Sequence, residues 1–284
     1  MRTFRPLEPF HGWRRTAVHT WSSPRDPSVY ALVELPVTNA LAYIERARAT
    51  TGARVTLSHL VLRGVALGIR QNPQLNGIVA RGRIMLRDSV DIFMQVMTDG
   101  GGDLSGIKIS NADQKSAVEV AREAQERVDR LRAHKDRDVE RTKSVLNRLP
   151  ARLLGPIMRA IAYLIYDLDL NLSRFGIVKD TFGSAMVTNV GMLGLEAAFA
   201  PLVPFSRTPL VVLVGEVQDR AVAEDGQAVV RPMVTLGVTF DHRFMDGFQG
   251  GKMAALMRAY VQDPGAFDPL PGTTHIGDPV SSIQ

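Results

Sequence analysis

The sequence predicts a single α/β domain built around a mixed β-sheet with helices packed against it. Three observations carry this. Segments of β texture alternate along the chain with segments of helical period. Hairpin turns occur as well as longer crossovers, so parallel and antiparallel strand neighbours are both expected. The chain has 284 residues, 45% apolar and 22% charged, with a mean hydropathy of −0.01. That is the balance of a globular chain large enough to bury a core without staples.

The elements follow in order. Pro6, Pro9, Pro24 and Pro27 mark the first 27 residues as a surface lead-in. Val29 to Leu35 is β-rich and alternates loosely, which predicts a strand. Thr38 is placed to cap a helix to about Thr50 that Gly52 ends. Ser58 is placed to cap the next helix, which has Leu60, Val61, Val65 and Ile69 on one face and is stopped by Asn72-Pro73. Gly77 to Leu86 reads as a hairpin turning at Arg81-Gly82. Val90 to Met97 and Leu104 to Ile109 read as strands flanking the loop TDGGGD. Ser116 with Glu119 forms a capping box opening a charged helix through about Arg132.

Residues 129–152 are rich in Arg and Lys, and the composition then turns apolar from Leu153 to Leu170, with Pro156 suited to a first helical turn. Ser184 to Val190 is a strand followed by the turn GMLG. Leu210 to Val217, Ala228 to Arg231 and Met233 to Phe240 read as strands, the last two joined around Pro232. Gly247 to Gln262 is a helix stopped by Asp263-Pro264, and a polar tail begins at Gly265.

Composition excludes several functions. There is no cysteine, hence no disulfide scaffold, Cys-ligated metal or thiol nucleophile. A net charge of +5 over 284 residues is weak and spread out, so nucleic acid is not an expected partner. The N-terminal MRTFRPLEPFHGWRR has charges and prolines where a signal peptide needs an apolar run. No window reaches the ~18 apolar residues of a membrane span, so a soluble cytoplasmic protein is expected.

The densest polar cluster on an apolar background is DHRFMDG, Asp241 to Gly247, between a strand and a helix. His242 there suits a general base, because its pKa range lies near neutrality. A metal ligand and a structural histidine are the competing readings, the metal being the weaker for want of a second His or a Cys nearby. In MVTNVGMLG the Thr188 hydroxyl ends an apolar strand and can donate to a developing oxyanion. Its plain reading is a β-favouring Thr beside an Asn189 that caps a turn. The stretch SNADQK, Ser110 to Lys115, reads as a loop leading into the Ser116 helix.

Taken together in this order, these segments make the chain resemble the catalytic domain of the dihydrolipoyl acyltransferases of 2-oxo-acid dehydrogenase complexes, in the chloramphenicol acetyltransferase superfamily. DHRFMDG resembles the H-x-x-x-D-G signature with its D-H-R opening. MVTNVGMLG with APLVPFSRTPLVVLVGEV resembles the hydroxyl-bearing strand and its successor, and ISNADQKSAVEVAREAQE the N-A-D-Q-K stretch and its helix. The similarity runs from about Pro27 to Pro264 with one interruption.

The resemblance implies a chloramphenicol acetyltransferase-like two-layer sandwich, with a mixed sheet and packed helices. A catalytic domain would span 28–264, with a helical insertion at about 129–179, a lead-in at 1–27 and a polar tail at 265–284. It implies an acyltransferase moving an acyl group between coenzyme A and a thiol or hydroxyl acceptor, either lipoamide in trans or a small molecule. His242 would be the base, Thr188 the oxyanion donor and Asp246 the motif aspartate, held by hydrogen bonds or by an Arg such as Arg14 or Arg15. No metal and no bound lipoyl group are expected. The partners implied are acyl-coenzyme A and a second and third copy of the chain, a homotrimer whose sites form between subunits.

There are departures. No lipoyl or subunit-binding domain is expected ahead of this part, Pro27 is followed by Ser28 rather than His, and the tail TTHIGDPVSSIQ is polar where cage-forming relatives carry an apolar anchor. A trimer without a cubic core is therefore expected. For Leu153 to Leu170 the first expectation is packing within the trimer, ahead of membrane contact or a lid. A non-catalytic scaffold is the competing function.

Overall fold

The computed structural model describes residues 26–98, 103–133, 151–175 and 177–272. In chain order they form β1 (Ser28–Pro36), α1 (Thr38–Thr51), α2 (Leu57–Gln71), β2 (Gly77–Ala80), β3 (Arg83–Leu86), β4 (Ile92–Thr98) and β5 (Asp103–Ile109). Then come α3 (Ala117–Arg132), α4 (Ala151–Ala162), β6 (Ala185–Asn189), β7 (Leu210–Val214), β8 (Gln218–Glu224), β9 (Gln227–Asp241), α5 (Gly247–Gln262) and α6 (Pro264–Phe267).

The main sheet runs β1-β9-β7-β6-β4-β5, with β8 paired to β9. β4, β6 and β7 are parallel neighbours, while β9 is antiparallel to β7 and β1, and β5 to β4. The sheet is thus mixed, as the connection lengths predict. Every residue of β7, LVVLV, is buried, which fits a central strand covered on both faces. One face is covered by helices, with Leu60, Leu67, Val212, Leu236 and Leu256 in a common core. α2 is buried almost all round and is the central helix of that layer. The other face is crossed by the segment 195–203. Gly215 and Gly237 allow it to lie close, since a Cβ at either would sit 1.9 Å from the carbonyl oxygen of Glu196 or Ala198.

The hairpin β2–β3 turns at Arg81 and Gly82, both left-handed at φ 52° and 70°, the conformation its two-residue loop requires. The capping box at α3 is present: Ser116 N–H donates to Glu119 Oε2 at 2.8 Å, and Glu119 N–H to Ser116 Oγ at 3.3 Å.

Several boundaries differ from expectation. Thr38 is the first helical residue of α1 and Val37 the cap, without a side-chain bond. At α2 the cap is Thr56, not Ser58; the Thr56 N–H donates to His59 Nδ1 at 3.1 Å. The buried Leu57 draws the helix start forward, and Ser58 becomes part of the interior. Pro156 stands mid-helix in α4. The strand expected from Leu210 to Val217 ends at Val214, and Gln218–Glu224 is a strand of its own. The two strands expected on either side of Pro232 are one 15-residue strand, β9. Pro232 pairs opposite Asp219, and its carbonyl accepts from Val37 N–H at 2.9 Å.

The packed chain also continues beyond Pro264 to Gly272. Asp268 is 2% exposed. It accepts from Tyr260 Oη at 2.7 Å, Arg63 Nε at 3.2 Å and Ala117 N at 3.1 Å. The loop expected at TDGGGD has residues 99–102 outside the described ones, as has most of the basic stretch 129–152.

Candidate active site

β9 delivers the motif. At its end Asp241 N–H donates to the Pro209 carbonyl at 2.9 Å, and His242 N–H to the Pro27 carbonyl at 2.9 Å. Phe244 and Met245 are buried and anchor the turn. The Asp241 carboxylate accepts from Arg243 N at 2.9 Å and grips its guanidinium through Nε at 3.0 Å and Nη2 at 2.6 Å. This bidentate pair gives the D-H-R opening a physical role: it fixes the backbone on both sides of His242.

His242 is exposed, and its Nδ1 lies 2.9 Å from the Met245 carbonyl oxygen. A carbonyl only accepts, so the proton of the neutral ring sits on Nδ1 and the lone pair on Nε2. The ring is therefore held as a base with Nε2 free of that contact. Asp246 caps α5: its Oδ1 accepts from Phe248 N at 2.7 Å, and its N–H donates to Gln249 Oε1 at 3.0 Å. Arg14 and Arg15, the partners considered for it, lie outside the described residues.

Thr188 is half-buried in β6, and its hydroxyl has no hydrogen bond among the described residues. Asn189 donates to Ser58 Oγ at 2.9 Å and accepts from Met192 N at 3.2 Å, so it caps the turn that follows. Thr188 pairs with Leu213, and Leu213 with Gly237, which places it two strands from β9 and well short of Asp241. At about 3.3 Å per residue and about 4.8 Å between strands, the two backbones stand roughly 16 Å apart. Within a single chain His242 and Asp246 share one turn without bonding each other, and Thr188 stands on a strand two away from β9. Met192 and Leu193, beside Thr188, are 72% and 61% exposed, an apolar edge with no cover in one chain.

The loop 241–247 contributes lining residues to two clefts, His242 itself to neither. One, of about 370 Å³, is lined by Pro27, Pro204, Arg207, Asp241 and Arg243. The other, of about 390 Å³, begins at Met245, Asp246 and Gly247. The apolar segment expected at Leu153 to Leu170 packs on its own chain through Ile165. It is fixed by an ion pair of Asp167 with Arg207, and by Arg207 lying 5.2 Å over the Tyr166 ring. Arg87 holds the nearby Asp180 at 2.8 and 3.0 Å. No described helix is long and apolar enough to cross a membrane. Among the described residues no three acidic or His side chains cluster as a metal site would need.

The stretch SNADQK lies away from the motif loop. Arg63 donates to the Asp113 carbonyl at 2.7 Å, Asn111 N–H donates to Asp91 Oδ1 at 3.0 Å, and Lys115 pairs with Glu123 at 2.5 Å. It docks α3 against α2. The Asp268 anchor of this region was missed in the sequence because an acidic residue in a Pro- and Gly-rich end carries no periodic signal. The Met245 carbonyl that sets the His242 tautomer is backbone and invisible to any residue-type argument.

The 2-oxoacid dehydrogenases acyltransferase (catalytic domain) model matches residues 7–146 and 178–267. The chain belongs to this family. A curated relative, the succinyltransferase component of the mitochondrial 2-oxoglutarate dehydrogenase complex of Saccharomyces cerevisiae, is 26% identical over 214 residues, covering 75% of this chain and 37% of that one. The acetyltransferase component of the Rhizobium meliloti pyruvate dehydrogenase complex is 29% identical over 141 residues, 46% of this chain and 30% of that one. The chain thus spans about a third of the length of these relatives. Among solved structures, a probable dihydrolipoamide acetyltransferase of Listeria monocytogenes superposes with a TM-score of 0.64 at 21% identity, over 96% of this chain and 99% of that one. The cubic core of the pyruvate dehydrogenase multienzyme complex gives 0.62 at 21%, over 85% and 84%. The family domain and the mixed two-layer fold are those the motifs predict.

Proposed function

We propose that this chain is a coenzyme-A-dependent acyltransferase of the dihydrolipoyl type, working as a trimer with sites between subunits. The observation that carries the reading is the His242–Met245 bond, which leaves Nε2 as the lone-pair nitrogen of an exposed ring.

The reaction then follows from the residues. Nε2 takes the proton of a thiol such as dihydrolipoamide, as a general base within hydrogen-bond reach does. The sulfur attacks the thioester carbonyl of acyl-coenzyme A. The carbonyl electrons move to oxygen, and Thr188 of a neighbouring copy donates its hydroxyl to that oxyanion. Collapse expels the coenzyme A thiolate, which recovers the proton from His242. No covalent enzyme intermediate is needed, which suits a chain without cysteine. Asp246 acts by holding the start of α5, and Asp241 with Arg243 by holding the His242 backbone. The roughly 16 Å gap and the exposed Met192 and Leu193 support the intersubunit arrangement.

The test is acyl-dihydrolipoamide formation from acetyl- and longer acyl-coenzyme A, followed by chromatography. His242→Ala is expected to lose about 10²–10⁴ in rate, and Thr188→Val about 10²–10³, with the trimer intact by light scattering. No turnover by the wild type with any acyl donor or acceptor favours the scaffold reading, and a 24-mer by light scattering contradicts the trimer.

A further inference from the structure

We propose that the cleft between β1, β9 and the first turns of α5 is an acyl-chain site, and that Gly250 and Gly251 keep it open to acyl groups larger than acetyl. The acyl identity of the occupant rests on the acyltransferase reading, whereas the site itself rests on the geometry.

The cleft begins at Met245 and Asp246, and the carbonyl of Met245 holds the His242 ring. The cleft thus opens at the residue whose carbonyl holds the ring, while His242 itself does not line it. Its volume is about 390 Å³, inside the roughly 300–1,000 Å³ range of small-ligand pockets. Its walls include Leu32, Val65, Leu236, Phe240 and Met253, and its only charged lining residues are Asp246 and Arg258. The Asp246 carboxylate is already occupied as the α5 cap. Such a wall offers burial to hydrocarbon and no recognition to a charged or sugar group. The lining methionines are unbranched and adaptable, which suits a chain of variable length.

Nothing among the described residues packs against these glycines, and Gly247 is in addition the glycine of the H-x-x-x-D-G motif. None of the three has a positive φ. A Cβ built on any of them meets nothing within 4 Å. The glycines of α2 differ, since a Cβ at Gly64 would come within 2.8 Å of Met257, and one at Gly68 within 3.0 Å of Met253. Those two are packing residues; the three in α5 are not. Glycine inside a helix is less stable than alanine there, so the α5 sequence carries a stability cost that no contact among the described residues requires. All three line the cleft, and a side chain at Gly250 would project into a wall that is otherwise open.

The experiment uses the full chain, wild type and Gly250→Leu, with acetyl- and octanoyl-coenzyme A. The Gly250→Leu variant is expected to lower the octanoyl-to-acetyl ratio of kcat/KM by about sixtyfold, each of three excluded methylenes being worth about fourfold. Its Tm is expected to rise by about 2–4 °C, because leucine is the better helix former. A loss of selectivity joined to a gain in stability is an outcome a purely structural role does not give. Gly250→Ala, the smaller change, serves if the leucine variant does not fold, with the same signs and a smaller ratio change.

Calorimetric binding of octanoyl-coenzyme A without an acceptor separates the two readings. Wild-type binding of octanoyl- over acetyl-coenzyme A that is lost in the variant, without turnover by any acceptor, upholds the site and removes the transferase. Turnover of acetyl-coenzyme A with no chain-length preference, and none changed by Gly250→Leu, overturns the site and keeps the transferase. Dissociation of the oligomer with an unchanged ratio shows the cleft to be a subunit contact and also overturns the proposal.

Discussion

Replacing Asp268 by Ala is expected to cost far more stability than its place in a Pro- and Gly-rich C-terminal stretch implies. The carboxylate is 2% exposed and its partner Arg63 7% exposed. Oδ1 accepts from Arg63 Nε at 3.2 Å, and Oδ2 from Tyr260 Oη at 2.7 Å and Ala117 N at 3.1 Å. Burial, with Asp268 beside it, raises the Tyr260 phenol well above its usual pKa, so it stays a donor throughout the accessible range. Removing the carboxylate leaves a buried guanidinium with only the Ala112 and Asp113 carbonyls, at 3.3 and 2.7 Å. Breaking a buried ion pair in this way costs about 3–5 kcal/mol, a large part of the roughly 5–15 kcal/mol by which domains are stable. Urea denaturation at neutral pH, followed by circular dichroism, measures it. The double variant Arg63→Met with Asp268→Leu is expected to recover the part of the loss due to the unpaired guanidinium, while Tyr260 Oη and Ala117 N still lack their acceptor. A single-variant loss below about 1 kcal/mol, or strict additivity in the double variant, refutes the reasoning.

Other outcomes follow from the same structure. Burial, with a smaller contribution from Arg48, lowers the His59 pKa to about 4. The unfolded chain takes up that proton near ~6.5, so between these values it binds more protons than the native state, and stability present above pH ~6.5 is lost as pH falls towards 4. Denaturant titrations are expected to show a loss of about 2 kcal/mol from pH 7 to pH 5 that His59→Asn flattens; an equal slope in the variant contradicts the assignment. Gly237→Ala would drive a Cβ to 1.9 Å from the Ala198 carbonyl oxygen, and a destabilisation of at least about 1–3 kcal/mol in thermal melts is expected. An unchanged melting temperature shows that the 195–203 segment does not lie on the sheet.

Much of this was legible in the residues, for identifiable reasons. Periodicity and punctuation placed nearly every helix and strand, because Gly52, Asn72-Pro73 and the Ser116–Glu119 box act locally. The hairpin at Arg81-Gly82 was legible for the same reason. What failed was decided by tertiary contact. Ser58 reads as a cap, but the burial of Leu57 starts the helix earlier. Pro232 reads as a break, yet β9 runs through it because its carbonyl still bonds Val37. His242 and Asp246 were found through the motif, but their separation from Thr188 depends on strand order, which no local pattern contains.

The most direct test of the account mixes two inactive variants, His242→Ala and Thr188→Ala, by co-refolding or co-expression in equal amounts. If base and oxyanion donor come from different copies of a cyclic trimer, about a quarter of the sites pair an intact His242 with an intact Thr188. Transfer activity is then expected to return to about a quarter of wild type. Activity no higher than that of the two variants alone contradicts the shared site.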